Sequence, residues 1–310
     1  MFSINRISVV AYNVSMVNFE AIFKQTLGSI EALRKRGSNK GSYGHSYILG
    51  GSLQYSGAPY LSYSASLSYR GGIGYVHLAL PKSIVPAYIL KDPQALITPM
   101  EEKDGFLKFD KDKLDAIMGK AKGIAFGMGV GNNIETAKIA EYLLNSYHGV
   151  LILDADALNA IAKFNLTGLL FSHVGPLVIS PHLLEFSRLT GIDVKEVEAK
   201  QRELAKEYAK KWNCTIVLKS FFTYVSDGEE TYEITSGNSG LAKAGSGDLL
   251  SGLIVGLTWA YPNMGMLELS SFASYLLGKA ADQVARKRNG VGFATNAEDI
   301  VKAIGDVLKG

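Results

Sequence analysis

Cysteine is almost missing from this chain of 310 residues, with Cys214 its sole example. One thiol cannot make an intrachain disulfide or a cysteine-based zinc framework. Its setting, the apolar run CTIVL, predicts a buried structural thiol, and the usage fits a reducing compartment. Histidine is also scarce, with 5 in the chain and no H-E-x-x-H spacing, so a zinc site is not expected. Long apolar runs are absent. The longest, Leu249–Ala260, is too short to span a bilayer and carries Ser251, Gly252 and Gly256. The N-terminal stretch Ile7–Val17 is interrupted by Ser8, Asn13 and Ser15 and lacks a secretory pattern. The chain is therefore expected to be cytoplasmic, with no membrane partner. A strong charge of either sign is lacking too: the net charge is +3, and the densest basic cluster is Arg34-Lys35-Arg36. No nucleic-acid surface is expected.

Several catalytic signatures are absent as well. There is no G-x-x-x-x-G-K-[ST] phosphate loop and no G-x-S-x-G nucleophile elbow. The segment GMGVGN, Gly127–Asn132, has asparagine where a dinucleotide fingerprint needs its last glycine. Hydride transfer on a nicotinamide-binding Rossmann domain is thus disfavoured.

What the chain does have is ample apolar material, 47% hydrophobic against 20% charged, enough for a sizeable core. Short apolar strand candidates recur at His45–Leu49, Gly74–Leu80, Gly123–Phe126, Val150–Leu153, Pro176–Ile179 and Thr215–Leu218. Runs such as VLIL and TIVL suit a parallel sheet covered on both faces. Helical patterns alternate with them, among them Ile134–Ser146 and Val197–Trp212, which predicts a doubly wound α/β fold. Phe221–Ser226 and Thr231–Thr235, joined by DGEE, read as a hairpin on the sheet's edge. Helices are expected over 17–36, Asp248–Trp259, Leu267–Arg288 and Ala297–Leu308. Residues 1–38 are expected to form a helical extension to a single domain spanning 39–310.

A polar or glycine-rich loop follows strand after strand: GGS after YIL, GMGVGNN after GIAF, DAD after LIL, SPH after LVI and KS after IVL. Ligands of open parallel sheets bind outside the carboxyl ends of the strands, so these loops predict one large site there. The segment GNSGLAKAGSGDLLSGLIVGL, Gly237–Leu257, carries the sharpest chemistry. Gly245, Ser246 and Gly247 present backbone N–H groups just before a helix, an anion-binding arrangement. Asp248 follows in the first turn, where a carboxylate can simply stabilise the helix start. Beside an anion loop it can instead take a hydroxyl proton during phosphoryl transfer. Asp154 and Asp156 stand at a strand end, where Asp156 can cap the next helix or the carboxylates can contact a ligand or a hydrated Mg²⁺. His182 and Lys219 end strands at the same edge, and either can be structural or meet a ligand.

Together, KGSYGHSYILGGSLQYSGAPYLSYSASLSYRGGIGYVHLALP, GIAFGMGVG, LILDADALNAIA, LVISPHLLEFSRLTG, TIVLKSFFTYVSDG and GNSGLAKAGSGDLLSGLIVGL resemble the ADP/ATP-dependent NAD(P)H-hydrate dehydratases of the ribokinase-like superfamily. The resemblance runs from about Lys40 to the C-terminus. It implies a ribokinase-like, mostly parallel sheet with helices on both faces. It also implies a repair lyase that phosphorylates the hydroxyl of hydrated NADH or NADPH at the expense of ADP or ATP, with Mg²⁺, and eliminates phosphate to restore the ring. Asp248 would be the base, and the amides of Gly245–Asp248 would hold the phosphate's charge. The substrate would touch Ala58, Gly129, His182 and Asp248. The nucleotide would lie along Lys219, Ser220, Phe221, Phe222 and Thr223 and at Gly247, with Asn238 a further candidate.

The chain departs from the family pattern in four places. Ser220 replaces a usual glycine, Leu183-Leu184 a usual Pro-Gly, Ser246 a threonine and Met128 a proline, while Glu185 is retained. A homo-oligomer is expected, as is a separate epimerase chain, because the length leaves no room for that domain upstream. The alternative on the same fold is a kinase of a small vitamin precursor, which would have no need for the SGAP and GMGVG segments.

Overall fold

The computed structural model describes Gly37 and residues 40–68, 73–258, 264–292 and 295–307. The expected helix over 17–36 and the N-terminal extension lie outside these residues.

The elements follow one another as a doubly wound chain. A 3-10 turn over Lys40–Tyr43 leads to β1 (His45–Leu49), α1 (Ala58–Ser68), β2 (Tyr75–Pro81), α2 (Val85–Lys91) and β3 (Leu96–Met100). The small hairpin β4 (Glu102–Lys103) and β5 (Phe106–Leu107) precedes α3 (Lys111–Met118), β6 (Ala121–Phe126), α4 (Ile134–Ser146), β7 (Val150–Asp154), α5 (Asp156–Lys163), α6 (Gly168–Ser172) and β8 (Leu177–Ser180). Then come α7 (Leu183–Thr190), α8 (Val194–Ala199), α9 (Gln201–Trp212), β9 (Thr215–Lys219), β10 (Thr223–Ser226), β11 (Thr231–Ile234), α10 (Ser246–Leu257), α11 (Met266–Lys287) and α12 (Ala297–Val307).

The main sheet has nine strands in the order β11-β10-β9-β8-β7-β6-β1-β2-β3. Every pair from β3 to β9 is parallel, and only β9–β10 and β10–β11 are antiparallel. The order reverses between β1 and β6, which is the topological switch point of the sheet. Strand periodicity sorts the core into two layers. Ile152, Val178 and Val217 face α10 and α11, while Leu151, Leu153, Leu177, Ile179, Ile216 and Leu218 face α4, α5 and α9.

The structure redraws several boundaries and adds a strand. The expected helix over Val197–Trp212 is two helices, α8 and α9, broken at Lys200, whose amide closes α8 on Glu196 and Val197 and whose carbonyl opens α9. The edge hairpin begins at Thr223, so Phe221 and Phe222 belong to the turn before it. The helix expected from Asp248 starts at Ser246. Strand β3 was not expected, since Pro99 sits in it; its place at the sheet edge tolerates the missing donor.

Helix α1 was not expected either, and it packs closely against α10. Ser62 Oγ donates to Asp248 O at 2.8 Å, and Ser66 Oγ donates to Gly252 O at 2.7 Å. A Cβ on Gly252 would lie 2.0 Å from Ser62 O, and one on Gly256 would lie 2.9 Å from Ser66 O. The glycines are what let the two backbones meet. Gly252→Ala should therefore push α10 off α1 and cost about 1–3 kcal/mol or more. A drop in Tm accompanied by lost activity would be the sign. An unchanged Tm would contradict this reading of the contact.

Candidate functional site

Three neighbouring strands end in polar residues on the face that meets α10. Asp154 closes β7, Ser180 closes β8 and Lys219 closes β9. The Lys219 ammonium reaches Asp154 Oδ1 at 2.7 Å, while Asp154 Oδ2 accepts from Ser251 Oγ at 2.7 Å. Asp154 Oδ1 also accepts the N–H of Ala155 at 2.8 Å. Both oxygens of this buried carboxylate are thus engaged, and they tie α10 to the sheet.

Helix α10 begins at Gly245, whose φ of 101° is left-handed and which offers no side-chain cap. The first amides of the helix therefore have no side chain closing them off, as an anion site requires. Gly247 follows, where an added Cβ would lie 3.3 Å from Lys219 Nζ and 3.6 Å from Asp154 Oδ2. Asp248 is the third residue of the helix, with Ser251 one turn on and facing the same way. Its carbonyl is held by Ser62 and its turn by Ser251, so the backbone that carries it is fixed from two sides.

The electrostatics are lopsided, with one cation among several carboxylates. Burial, with the nearby charge of Asp154, pushes the Asp248 carboxyl from 3.8 up to about 7, against the pull of Lys219. Burial likewise pushes Glu185 up to about 7, again opposed by Lys219. Burial works against the charge on Lys219, but Asp154, Glu185 and Asp248 outweigh it and raise that group. Burial and then Lys219 lower His182, so its imidazole is neutral at pH 7.

The glycine loop after β6 forms the other half of the site, at the switch point. Gly127 (φ 125°) lies where a Cβ would come 2.0 Å from Asp154 O. Gly129 (φ 73°) would place a Cβ 2.8 Å from Tyr55 O and 3.2 Å from the Ala58 Cβ. Ala58 and Gly129, expected together on a substrate, therefore stand side by side. Asp156 does not cap its own helix, contrary to one expected role. Ala155 holds that place with φ 48°, and the Asp156 carboxylate instead accepts from the Gly131 N–H at 2.8 Å, anchoring the glycine loop.

His182 is the N-cap of α7. Its Nδ1 accepts from the amides of Leu184 (3.1 Å) and Glu185 (3.2 Å), and its side chain is half exposed. Sequence reading raised contact with a ligand for this residue but not the cap. Leu183-Leu184, standing where the family has Pro-Gly, supply one of those capped amides and the start of α7. Asn238 caps the short turn Ser239–Leu241, and its amide donates to Asp282 Oδ1 at 2.9 Å, which fastens the loop to α11. Lys219 stands in the buried cluster, while Ser220, Phe221 and Phe222 form the turn to β10, with Phe221 fully in solvent and packed edge-on to Phe222. Thr223 opens β10.

Among the described residues, no three His, Cys, Asp or Glu side chains gather as a metal cage. The described residues therefore offer no protein-built Mg²⁺ cage, and Asp154 Oδ1 and Oδ2 are already bonded to Lys219, Ala155 and Ser251. No helix of the described residues is long and apolar enough to cross a membrane.

The family model for NAD(P)H-hydrate dehydratase matches residues 46–305. The ADP-dependent (S)-NAD(P)H-hydrate dehydratase of Bacillus subtilis is 32% identical over 247 residues, 79% of this chain and 82% of that protein. The bifunctional NAD(P)H-hydrate repair enzyme Nnr of Moorella thermoacetica is 32% identical over 260 residues, 82% of this chain and 48% of that protein; the chain spans about half the length of such relatives. Among solved structures, the B. subtilis ADP/ATP-dependent NAD(P)H-hydrate dehydratase co-crystallised with ATP/Mg²⁺ superposes with a TM-score of 0.75 at 25% identity, covering 96% of this chain and 99% of that one. A ribokinase-like superfamily protein of Enterococcus faecalis gives 0.74 at 26% identity, covering 89% and 90%. The chain belongs to the NAD(P)H-hydrate dehydratase family.

Proposed function

We infer that this protein repairs hydrated NADH or NADPH at the expense of ADP or ATP. The observation that carries the reading is Asp248. It is a carboxylate brought near neutrality and set beside the uncapped amides of α10, on the same helix face as a turn fastened to the Lys219–Asp154 pair.

In this reading the hydroxyl of the hydrated ring lies against Asp248. The carboxylate takes the hydroxyl proton as the oxygen attacks the terminal phosphorus, and the bond from that phosphorus to the nucleotide's bridging oxygen breaks, releasing AMP from ADP or ADP from ATP. The amides of Ser246, Gly247 and Asp248 stabilise the charge on the transferring group. The ring phosphate then leaves with the carbon–oxygen bonding pair, a proton leaves the neighbouring carbon, and the ring double bond returns. Lys219 is placed to keep negative charge tolerable near Asp154 and Asp248 through both steps. Mg²⁺, held by the nucleotide's phosphates, would neutralise part of their charge. The hydrated dinucleotide would run from Asp248 past Ala58 and Gly129, while the nucleotide would lie along Lys219–Thr223 and Gly247, with Asn238 holding the adjoining loop. An epimerase activity would feed the site the reactive epimer. The protein would work in the cytoplasm as a homo-oligomer.

A kinase of a small alcohol would share Asp248 and the anion loop. The placing of Ala58 beside Gly129 at the switch point favours a substrate large enough to need both. Product analysis separates the two. Repair yields one inorganic phosphate and one dephosphorylated nucleotide per ring restored, whereas a kinase leaves a stable phosphate ester and no inorganic phosphate. A stable ester as end product would exclude the repair reading.

His182 gives a further expectation. Asparagine is a good N-cap, so His182→Asn should keep α7 and the Tm while raising the KM for the hydrated dinucleotide. His182→Phe loses the cap and should lower Tm by the equivalent of about 1 kcal/mol. An unchanged KM in His182→Asn would remove His182 from the binding surface.

A further inference from the structure

One buried acid in the site has no part in the chemistry above. Glu185 is 4% exposed, although it stands in the first turn of a helix whose preceding residues are solvent-facing. Its two oxygens do different things. Oε2 accepts the backbone N–H of His182 at 2.8 Å, completing a capping box. Oε1 lies 3.3 Å from His182 Nε2. The other ring nitrogen, Nδ1, accepts two backbone amides and so must be unprotonated. The neutral imidazole therefore carries its proton on Nε2, the nitrogen 3.3 Å from Glu185 Oε1. A capping box alone needs one oxygen of Glu185; the second lies beside the ring.

The backbone ties the same turn to the catalytic side. Lys219 N donates to Pro181 O at 2.9 Å, and His182 forms a parallel bridge with Lys219. The charged groups facing Glu185 are His182 on its own turn, Lys219 from β9, Asp154 from β7 and Asp156 from α5. Arg188, one turn further along α7, bonds to Asn159 Oδ1 at 2.7 Å and is occupied there. Lys219 is thus the one cation that attracts Glu185 at close range, and it is shared with Asp154 and Asp248.

The geometry points to Glu185 as a positioning residue, whose carboxylate beside Nε2 holds the His182 imidazole in one orientation for the substrate. The link to substrate rests on the repair reading; the link to His182 does not.

Glutamine tests this directly, because it has one oxygen where glutamate has two. Glu185→Gln can keep the cap on the His182 amide, but it then turns an NH₂ group toward Nε2–H. In ¹⁵N-histidine spectra at pH 8, both proteins should keep the Nε2–H tautomer that the two amides on Nδ1 impose, and the Nε2 resonance should shift in Glu185→Gln as the ring loses its carboxylate neighbour. In the repair assay the variant should lose about 10- to 100-fold in kcat/KM, mostly through the KM for the hydrated dinucleotide, with the nucleotide KM unchanged. Glu185→Asp keeps the charge but shortens the reach, and should shift the Nε2 resonance as well. A Glu185→Gln protein with an unaltered His182 spectrum, or with kcat/KM within about twofold of wild type, would overturn the assignment. If the wild type repairs nothing, the functional reading fails, and the spectra still decide whether Glu185 holds His182.

Discussion

Asp248→Asn is expected to lose about 10²- to 10⁴-fold in kcat, the range of a missing general base, while the protein becomes more stable at alkaline pH. The two effects share one cause. In the folded protein the Asp248 carboxyl is raised from 3.8 to about 7, first by burial and then by Asp154. A raised acid binds its proton more tightly folded than unfolded. Its favourable contribution is therefore complete below about pH 4 and is lost as pH climbs through about 7. At pH 8 the site holds a costly anion, and asparagine removes that cost. The gap between 3.8 and about 7 sets an upper bound of about 4 kcal/mol, and neighbouring groups that relax together will reduce it. Thermal melts should thus show Asp248→Asn above wild type at pH 8 and level with it near pH 4. Nucleotide binding should survive, because the amides of α10 are untouched. In wild type, kcat/KM should rise with pH on a limb centred near 7, since only ionised Asp248 can take the proton. A variant that melts below wild type at pH 8 would contradict the description of Asp248 as an acid held against its own ionisation.

Lys219→Met is the second large effect, and its pH dependence runs the other way from ordinary acid unfolding. The Lys219 ammonium bonds to Asp154 and stands near Glu185 and Asp248. Its removal leaves Asp154 buried with an unpaired charge, and breaking such a pair costs about 3–5 kcal/mol. At pH 5 the neighbouring acids can accept protons and the loss shrinks; at pH 8 they cannot, and it is largest. The activity limb assigned to Asp248 should move to higher pH, because the one nearby cation that lowers it has gone. Equal destabilisation at pH 5 and pH 8 would show that Lys219 acts as packing alone.

Parts of this were legible in the chain and parts were not, for physical reasons. Apolar runs such as VLIL and TIVL announced the buried parallel strands, because a strand covered on both faces carries no polar alternation. The start of α10 was legible because glycines punctuate the chain just before an apolar run. Helix α1 was hidden. Its sequence APYLSYSASLS has no apolar stripe, since it meets α10 through serine hydroxyls on carbonyls and through glycines opposite. The Lys219–Asp154–Ser251 linkage was hidden too. Its members are separated by 65 and 97 residues, and only the parallel register puts them at one level. The cap made by His182 was missed because histidine is an unusual N-cap. Its one signal was Glu185 three residues on, the second half of a capping box.

The central claim is that Asp248 drives phosphorylation and loss of a hydroxyl from hydrated NADH or NADPH. The direct measurement is absorbance at the reduced-nicotinamide band while the protein is incubated with the hydrated cofactor, Mg²⁺ and either ADP or ATP. Wild type should restore the band with at least one nucleotide and not without it, and Asp248→Asn should leave it flat under the same conditions. No recovery by wild type with either nucleotide, or recovery by Asp248→Asn at near the wild-type rate, would contradict the account.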